Sequence, residues 1–234
     1  MPAMLDDPSS QPNVRTSGAP PFPGPNTPLP AGIAPRLFTL RDSATATLLP
    51  FGSLSAVPKG LLSRLSAIFN AEIAAGDTYP LIDPVPLERF GPYWFGNFGT
   101  AVLAGDLCSR GLDGIADHEW DGLVLGSFYI KPNYPGRSSH VSNAGFLVAE
   151  GARGKGLGGL MGKVYIDWAA RLGYTYSIFN LVYETNVASI RIWDSLGFQR
   201  VGRVKGCGAL KSYPDRLIDA IVFGRDLVAS DADS

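Results

Sequence analysis

The chain has 234 residues, with 20 Lys plus Arg against 21 Asp plus Glu and a net charge of −1. That balance gives no electrostatic footprint for wrapping nucleic acid or coating an anionic membrane, so neither is an expected partner. At 45% hydrophobic the chain can bury a sizeable core, which excludes wholesale disorder. Apolar runs such as Leu123–Leu125 fall far short of the roughly 18–20 residues of a membrane helix. Two cysteines, Cys108 and Cys207, cannot build a disulfide scaffold or a four-ligand zinc site, so no metal is expected. With no signal peptide, a reducing cytoplasmic compartment is the expectation and the mitochondrion the alternative.

Ten of the 19 prolines fall within the first 35 residues. Proline removes backbone donors and fixes φ, so residues 1–35 read as a disordered or extended leader. The folded part is expected over 36–228, with a tail at 229–234. Arg36–Leu40 and Ala44–Pro50 are short strand candidates around a turn-like Arg41-Asp42-Ser43. Apolar residues at 61, 62, 65, 68, 69 and 73 predict an amphipathic helix over 57–76, stopped by Gly76. A short helix is expected near Leu87–Phe95, then strands at Phe98–Ala104 and Leu123–Lys131 joined by a polar loop rich in Gly and Asp. Asn143–Ala149 reads as one strand, followed by a Gly-rich turn and a helix over about Gly156–Leu172. Thr175–Glu184 is a strand, Val187–Leu196 a helix, and Phe198–Val204 and Arg216–Asp226 the last strands. The second half thus runs β–α–β–α–β–β, an α/β pattern.

The turn reads Val148-Ala149-Glu150-Gly151-Ala152-Arg153-Gly154-Lys155-Gly156-Leu157-Gly158-Gly159. A strand feeding a Gly-rich bend into a helix aims several backbone N–H groups at one point, and the helix dipole adds its positive end; phosphate suits such a site. Two phosphate readings compete. Gly154-x-Gly156-x-x-Gly159 fits the dinucleotide fingerprint, but the acid expected about 20 residues on is missing, because position 174 is tyrosine. The Walker loop fails, because no Gly-Lys-Ser/Thr occurs here. The second reading is acetyl-CoA.

Arg153-Gly154-Lys155-Gly156-Leu157-Gly158 resembles the Arg/Gln-x-x-Gly-x-Gly/Ala signature of the GNAT superfamily of N-acetyltransferases. Val148 stands five residues ahead of Arg153, as that family's strand valine does. Asn186, followed by Ile190, Trp193 and Gly197-Phe198, resembles the family's Asn-x-x-Ala-x-x-x-Tyr-x-x-x-Gly-Phe segment. There are two departures. Glu150 replaces the proline of Val-x-Pro, and Trp193 replaces a tyrosine that protonates the leaving thiolate in many members; an indole cannot do so. Five further stretches are similar to the fungal N-acetyltransferases that detoxify the proline analogue L-azetidine-2-carboxylate. They are Asp77–Pro80, Tyr93–Phe95, Gly126–Tyr134, Ser142–Val148 and Tyr176–Val182.

The resemblance implies a GNAT fold, with a mixed sheet splayed between two parallel strands and helices on both faces. It implies acetyl-CoA held by Leu147, Val148, Arg153, Gly154, Lys155, Gly156, Leu157, Gly158 and Asn186. A backbone N–H near Leu147 or Val148 would face the thioester oxygen. It implies a small secondary-amine substrate, its carboxylate held by Asn143 and Asn180, with Phe146 against the ring and Asn143, Asn180 and Asn186 as the catalytic set. A homodimer is implied as well. As alternatives, Asn186 could be a plain helix cap, the amine could be a polyamine, amino sugar or peptide terminus, and the chain could be a non-catalytic acyl-CoA sensor. Glu184, Asp167 and His140 are weighed as bases against a water relayed by Asn143 and Asn180. Tyr79, Trp94, Phe128 and Tyr134 divide between pocket wall and core.

Overall fold

The structure, a computed structural model, describes Pro21 and residues 27–228; the rest of the leader and the 229–234 tail lie outside the described residues. Packing extends ahead of the boundary read at Arg36: Ile33 is buried in the main core and Leu29 packs against it.

The elements are β1 (Arg36–Thr39), β2 (Thr45–Phe51), α1 (Lys59–Ala75), α2 (Leu87–Phe95), β3 (Phe98–Ala104), α3 (Leu107–Arg110) and α4 (Trp120–Leu123). They continue with β4 (Val124–Pro132), β5 (Val141–Asn143), β6 (Phe146–Val148), α5 (Leu157–Arg171), β7 (Tyr176–Tyr183), α6 (Val187–Ser195), β8 (Gln199–Gly208) and β9 (Ile218–Asp226). The strands join in one sheet ordered β1-β2-β3-β4-β5-β7-β9-β8, with β6 also on β4. Every pairing is antiparallel except β5 with β7. The parallel pair sits mid-sheet, and the chain reaches it through the crossover helix α5.

Helices cover both faces. Ser127 and Phe128 are neighbours on β4, so their side chains point to opposite sides. Ser127 Oγ accepts from Trp94 Nε1 of α2 at 2.7 Å. Phe128 meets Tyr165 and Trp168 of α5, at 6.4 and 6.3 Å between centroids. Hence α2 lies on one face and α5 on the other, and β4 is buried along most of its length. In α1 the residues Leu61, Leu65, Ile68, Phe69 and Ile73 are buried, as the 3/4 spacing predicts, and Gly76 ends it at φ 74°. Each such side chain contributes about 1.5–3 kcal/mol by leaving water.

One expected strand is in fact two. Between β5 and β6 the chain breaks at Ala144-Gly145, and a Cβ on Gly145 would lie 2.4 Å from the Tyr129 ring. Glycine allows the backbone to pass that close. Because of the break, β5 pairs with β7 while β6 pairs only with β4.

Candidate active site

The parallel pairing ends at Ser142↔Ser177. Beyond it β6 and β7 part, and a cleft of about 640 Å³ opens between them, bounded by the Gly-rich turn, α5 and α6. The root of the cleft is clasped from α5. The Tyr165 hydroxyl bonds Ser142 Oγ at 2.8 Å and Ser177 Oγ at 2.5 Å, joining the last two paired residues. Burial pushes the Tyr165 phenol up to about 12, against the opposing pull of the two serine hydrogen bonds.

On the β6 wall the cleft is lined by backbone. Ala149 N–H donates to Leu125 at 2.9 Å and Tyr129 N–H to Gly145 at 3.2 Å. In an antiparallel ladder every second residue turns its N–H and C=O toward the partner. Positions 145, 147 and 149 therefore face β4, and Phe146 and Val148 turn their backbone groups into the cleft. Of the two candidates for an outward N–H, the ladder selects Val148; that of Leu147 faces β4. The Phe146 carbonyl already accepts the Tyr79 hydroxyl at 3.2 Å.

The turn then delivers its chain to the start of α5. Gly154 and Gly156 take positive φ, 78° and 84°, and Gly156 is the helix N-cap with no side-chain cap. The first-turn N–H groups of a helix have no carbonyl within it to bond, and here Gly158 and Gly159 line the cleft. The basic side chains of the turn are engaged elsewhere. Arg153 pairs with Glu72 of α1. Lys155 pairs with Asp42 of the β1–β2 turn at 2.9 Å, lies outside the cleft lining, and holds the Asp42 carboxyl below its ordinary range.

The facing wall, β7 with α6, presents side chains, and the ring of Phe146 from β6 meets them. Phe179 and Trp193 lie 4.4 Å apart between centroids, and Phe146 lies 5.0 Å from Trp193. All three line the cleft. The ladder to β9 slips between Phe179 and Val182, a bulge in which Asn180 and Leu181 together stand opposite Val222. Asn180 and Asn133 exchange amide bonds at 2.6 and 3.3 Å. Asn143 is fully buried and its Nδ2 donates to the Ile178 carbonyl at 2.8 Å; its Oδ1 has no hydrogen-bond partner among the described residues. Asn143 and Asn180 flank the parting point but lie outside the lining of the cleft. Asn186 lines it and also caps α6, its Oδ1 accepting from Ser189 N–H at 3.1 Å, so cap and ligand donor are compatible roles.

The weighed bases stand away from the cleft. Asp167 is bound to Arg36 at 2.5 Å and Arg171 at 2.8 Å, Glu184 to Arg203 at 2.9 Å, and none of Asp167, Glu184 or His140 lines the cleft. Tyr79 and Phe146 are wall residues, whereas Trp94 and Phe128 are core. Three charged lining residues, Glu72, Arg41 and Arg191, are not foreshadowed in the sequence, because α1, the β1–β2 turn and α6 meet the Gly-rich turn only in three dimensions. Among the described residues no cluster of His, Cys, Asp or Glu could hold a metal, and no helix is long and apolar enough to cross a membrane.

Comparison with known proteins agrees with this geometry. Residues 88–198 match the model of the acetyltransferase (GNAT) family. The chain is 40% identical over 172 residues to N-acetyltransferase aca1 of Schizosaccharomyces pombe, covering 70% of this chain and 78% of that one. A GCN5-related N-acetyltransferase structure from Kribbella flavida superposes with a TM-score of 0.61 at 30% identity, over 77% of this chain and 98% of that one. A phosphinothricin acetyltransferase from Sinorhizobium meliloti, in complex with acetyl-CoA, shares the fold with a TM-score of 0.59 at 19% identity, over 81% and 92%. With the splayed sheet, the glycine turn and these matches together, the chain belongs to the GNAT family of acetyltransferases.

Proposed function

We propose that this chain transfers the acetyl group of acetyl-CoA to the secondary amine of a small imino acid, such as L-azetidine-2-carboxylate or cis-4-hydroxyproline. The observation that carries the reading is the backbone that the β4 ladder leaves unused, the Phe146 N–H and the Val148 N–H and C=O, facing a cleft that ends on the bare N-terminus of α5. An extended pantetheine arm can pair with that edge as an added strand, and its diphosphate can lie on the N–H groups of Gly156–Gly159. The sinorhizobial fold neighbour is in complex with acetyl-CoA, and its name gives phosphinothricin as what it acetylates. The S. pombe relative is an N-acetyltransferase by name.

The thioester supplies an activated acetyl carbonyl. Val148 N–H polarises its oxygen where negative charge develops, a contact worth most inside a closed cleft. Phe146, Phe179 and Trp193 make the cleft apolar, which excludes water and disfavours the charged ammonium form of a bound amine. Asn143 is fully buried and neither asparagine lines the cleft, so Asn143 and Asn180 hold the substrate carboxylate once side chains at the parting point move aside for it. An Nδ2 carries two N–H donors, and that of Asn143 uses one on Ile178, so the other remains for an anion. The buried Asn143 Oδ1 can accept from the substrate amine. Asn133 fixes the plane of the Asn180 amide. The amine proton leaves through water held between these asparagines, since Glu72, the carboxylate that lines the cleft among the described residues, is engaged by Arg153 and Thr78. As the new C–N bond forms the thioester C–S bond breaks, and the CoA thiolate leaves with a hydrogen bond from Asn186 Nδ2 and takes its proton from solvent water. The biological role is detoxification of proline analogues or protection from oxidative stress, in a cytoplasmic homodimer.

The test is release of free CoA thiol from acetyl-CoA with a panel of amines. Turnover with azetidine-2-carboxylate above a polyamine, an amino sugar and a peptide N-terminus supports the reading. Turnover confined to one of the others overturns the substrate class. Calorimetric binding of CoA with no amine acetylated would make the chain an acyl-CoA sensor.

A further inference from the structure

The mouth of the cleft carries a charge arrangement that none of the sequence motifs contains. Three basic side chains of the Gly-rich turn and the β1–β2 turn stand beside the start of α5, and two of them are neutralised; a further one, Arg191 of α6, lines the cleft without an ion pair among the described residues. Arg153 is held by Glu72, and Lys155 by Asp42. The third is Arg41, from the turn between β1 and β2. It lines the cleft, and among the described residues it has no ion-pair partner. Its place is fixed by the backbone: Arg41 N–H donates to the Lys155 carbonyl at 3.3 Å. Its side chain lies across the N-cap, where a Cβ built on Gly156 would come within 2.9 Å of Arg41 Nε. The φ of 84° is what favours glycine at 156, and the overlying guanidinium shows how closely Arg41 approaches the N-cap.

A cation at the N-terminus of a 15-residue helix is on the wrong end of the dipole. That placement is unfavourable unless an anion lies between the guanidinium and the first-turn N–H groups. A phosphate oxygen pair fits, because the guanidinium fork matches it in a plane while the helix N–H groups bind it end-on. We infer that Arg41 is a phosphate-binding residue for the acyl carrier, clamping the diphosphate against Gly156–Gly158 from the opposite side of the turn. The inference rests on the acetyl-CoA reading of the cleft and adds a side chain to it from a part of the chain more than a hundred residues away.

The experiment compares wild type, Arg41→Ala and Arg41→Lys with three acetyl donors: acetyl-CoA, its 3′-dephospho form, and S-acetylpantetheine, which lacks all phosphates. A charge-assisted bidentate contact predicts that Arg41→Ala raises KM for acetyl-CoA about 10-fold with kcat held within about twofold. Arg41→Lys should recover part of the loss, because it keeps the charge and loses the fork. The same loss should appear with 3′-dephospho-CoA and vanish with S-acetylpantetheine, which also shows that the variant is folded. An equal KM in wild type and Arg41→Ala overturns the inference, as does a loss that persists with S-acetylpantetheine. A loss seen only when the 3′-phosphate is present moves the contact off the diphosphate and overturns it too. Where wild type itself shows no calorimetric binding of CoA, it is the acetyl-CoA reading of the cleft that fails.

Discussion

The two walls of the cleft are built on opposite plans. The β6 wall is three residues long, pairs with no strand but β4, and offers the ligand its main chain at Val148 beside the ring of Phe146. The β7 wall is eight residues long, is locked to β9 on one side and β5 on the other, and offers side chains. A main-chain wall tolerates side-chain change as long as the strand keeps its register. A side-chain wall tolerates backbone adjustment, as the bulge at Asn180-Leu181 shows, but not truncation of its aromatic residues. Such a division suits a cleft whose acetyl carrier is constant while the amine it serves is specific.

Substitutions can break or sharpen this contrast. The largest effect is expected on the side-chain wall. Phe179 is fully buried and stacks on Phe198 at 5.0 Å and against Trp193. Phe179→Ala should cost about 3–5 kcal/mol in urea unfolding. Next comes the main-chain wall. Val148→Pro removes one N–H that the β4 ladder does not use, so kcat should fall about 10²–10³-fold with the fold retained, whereas Val148→Ala should stay near wild type. A Val148→Ala loss as large as that of the proline variant would mean that this wall works through its side chain.

The clasp at the root comes third. Tyr165→Phe leaves Ser142 and Ser177 without their shared hydroxyl, a change of about 1–3 kcal/mol. A pH dependence distinguishes this effect from mere loss of packing. Folding raises the Tyr165 phenol from 10 to about 12, so its contribution is complete below pH 10 and is lost as pH rises from 10 to 12. Chemical denaturation across that range should show wild type falling toward the phenylalanine variant. An unchanged gap would mean that the phenol ionises equally in both states.

The smallest effect lies outside both walls. Burial raises the Asp167 carboxyl, but hydrogen bonds from Arg36 and Arg171 outweigh it, and its pKa is lowered on balance. Its stabilisation is present above the ordinary carboxylate pKa of about 4 and is lost as pH falls below it. Thermal melts from pH 6 to 3 should fall slightly less steeply for Asp167→Asn than for wild type. A steeper fall would reverse the sign assigned to this group.

Local signals in the chain place most of this architecture. The 3/4 spacing of Leu61, Leu65, Ile68, Phe69 and Ile73 marks α1, and the expected helix over Leu87–Phe95 and strand over Phe98–Ala104 match α2 and β3 residue for residue. The glycines from 154 to 159 mark the turn and the start of α5, because a positive φ and an uncapped helix start leave a compositional trace. The expected strand over Asn143–Ala149 hides its own interruption, since Ala144-Gly145 is apolar and small whether the ladder runs through it or not. Its meaning depends on the Tyr129 ring packed against it.

The sequence by itself determined most of the elements, though not α3 and α4 in the expected loop or the break between β5 and β6, together with the α/β class and the glycine turn, because these follow from periodicity and backbone freedom within a dozen residues. Tertiary structure alone decided that β5 leaves its register with β7 at Ser142, that Val148 rather than Leu147 turns its N–H inward, and that Glu72 and Arg41 reach the Gly-rich turn. Those outcomes depend on which strand pairs with which and on charges from distant segments meeting at one point, and long-range juxtaposition of that kind leaves no periodic mark along a chain.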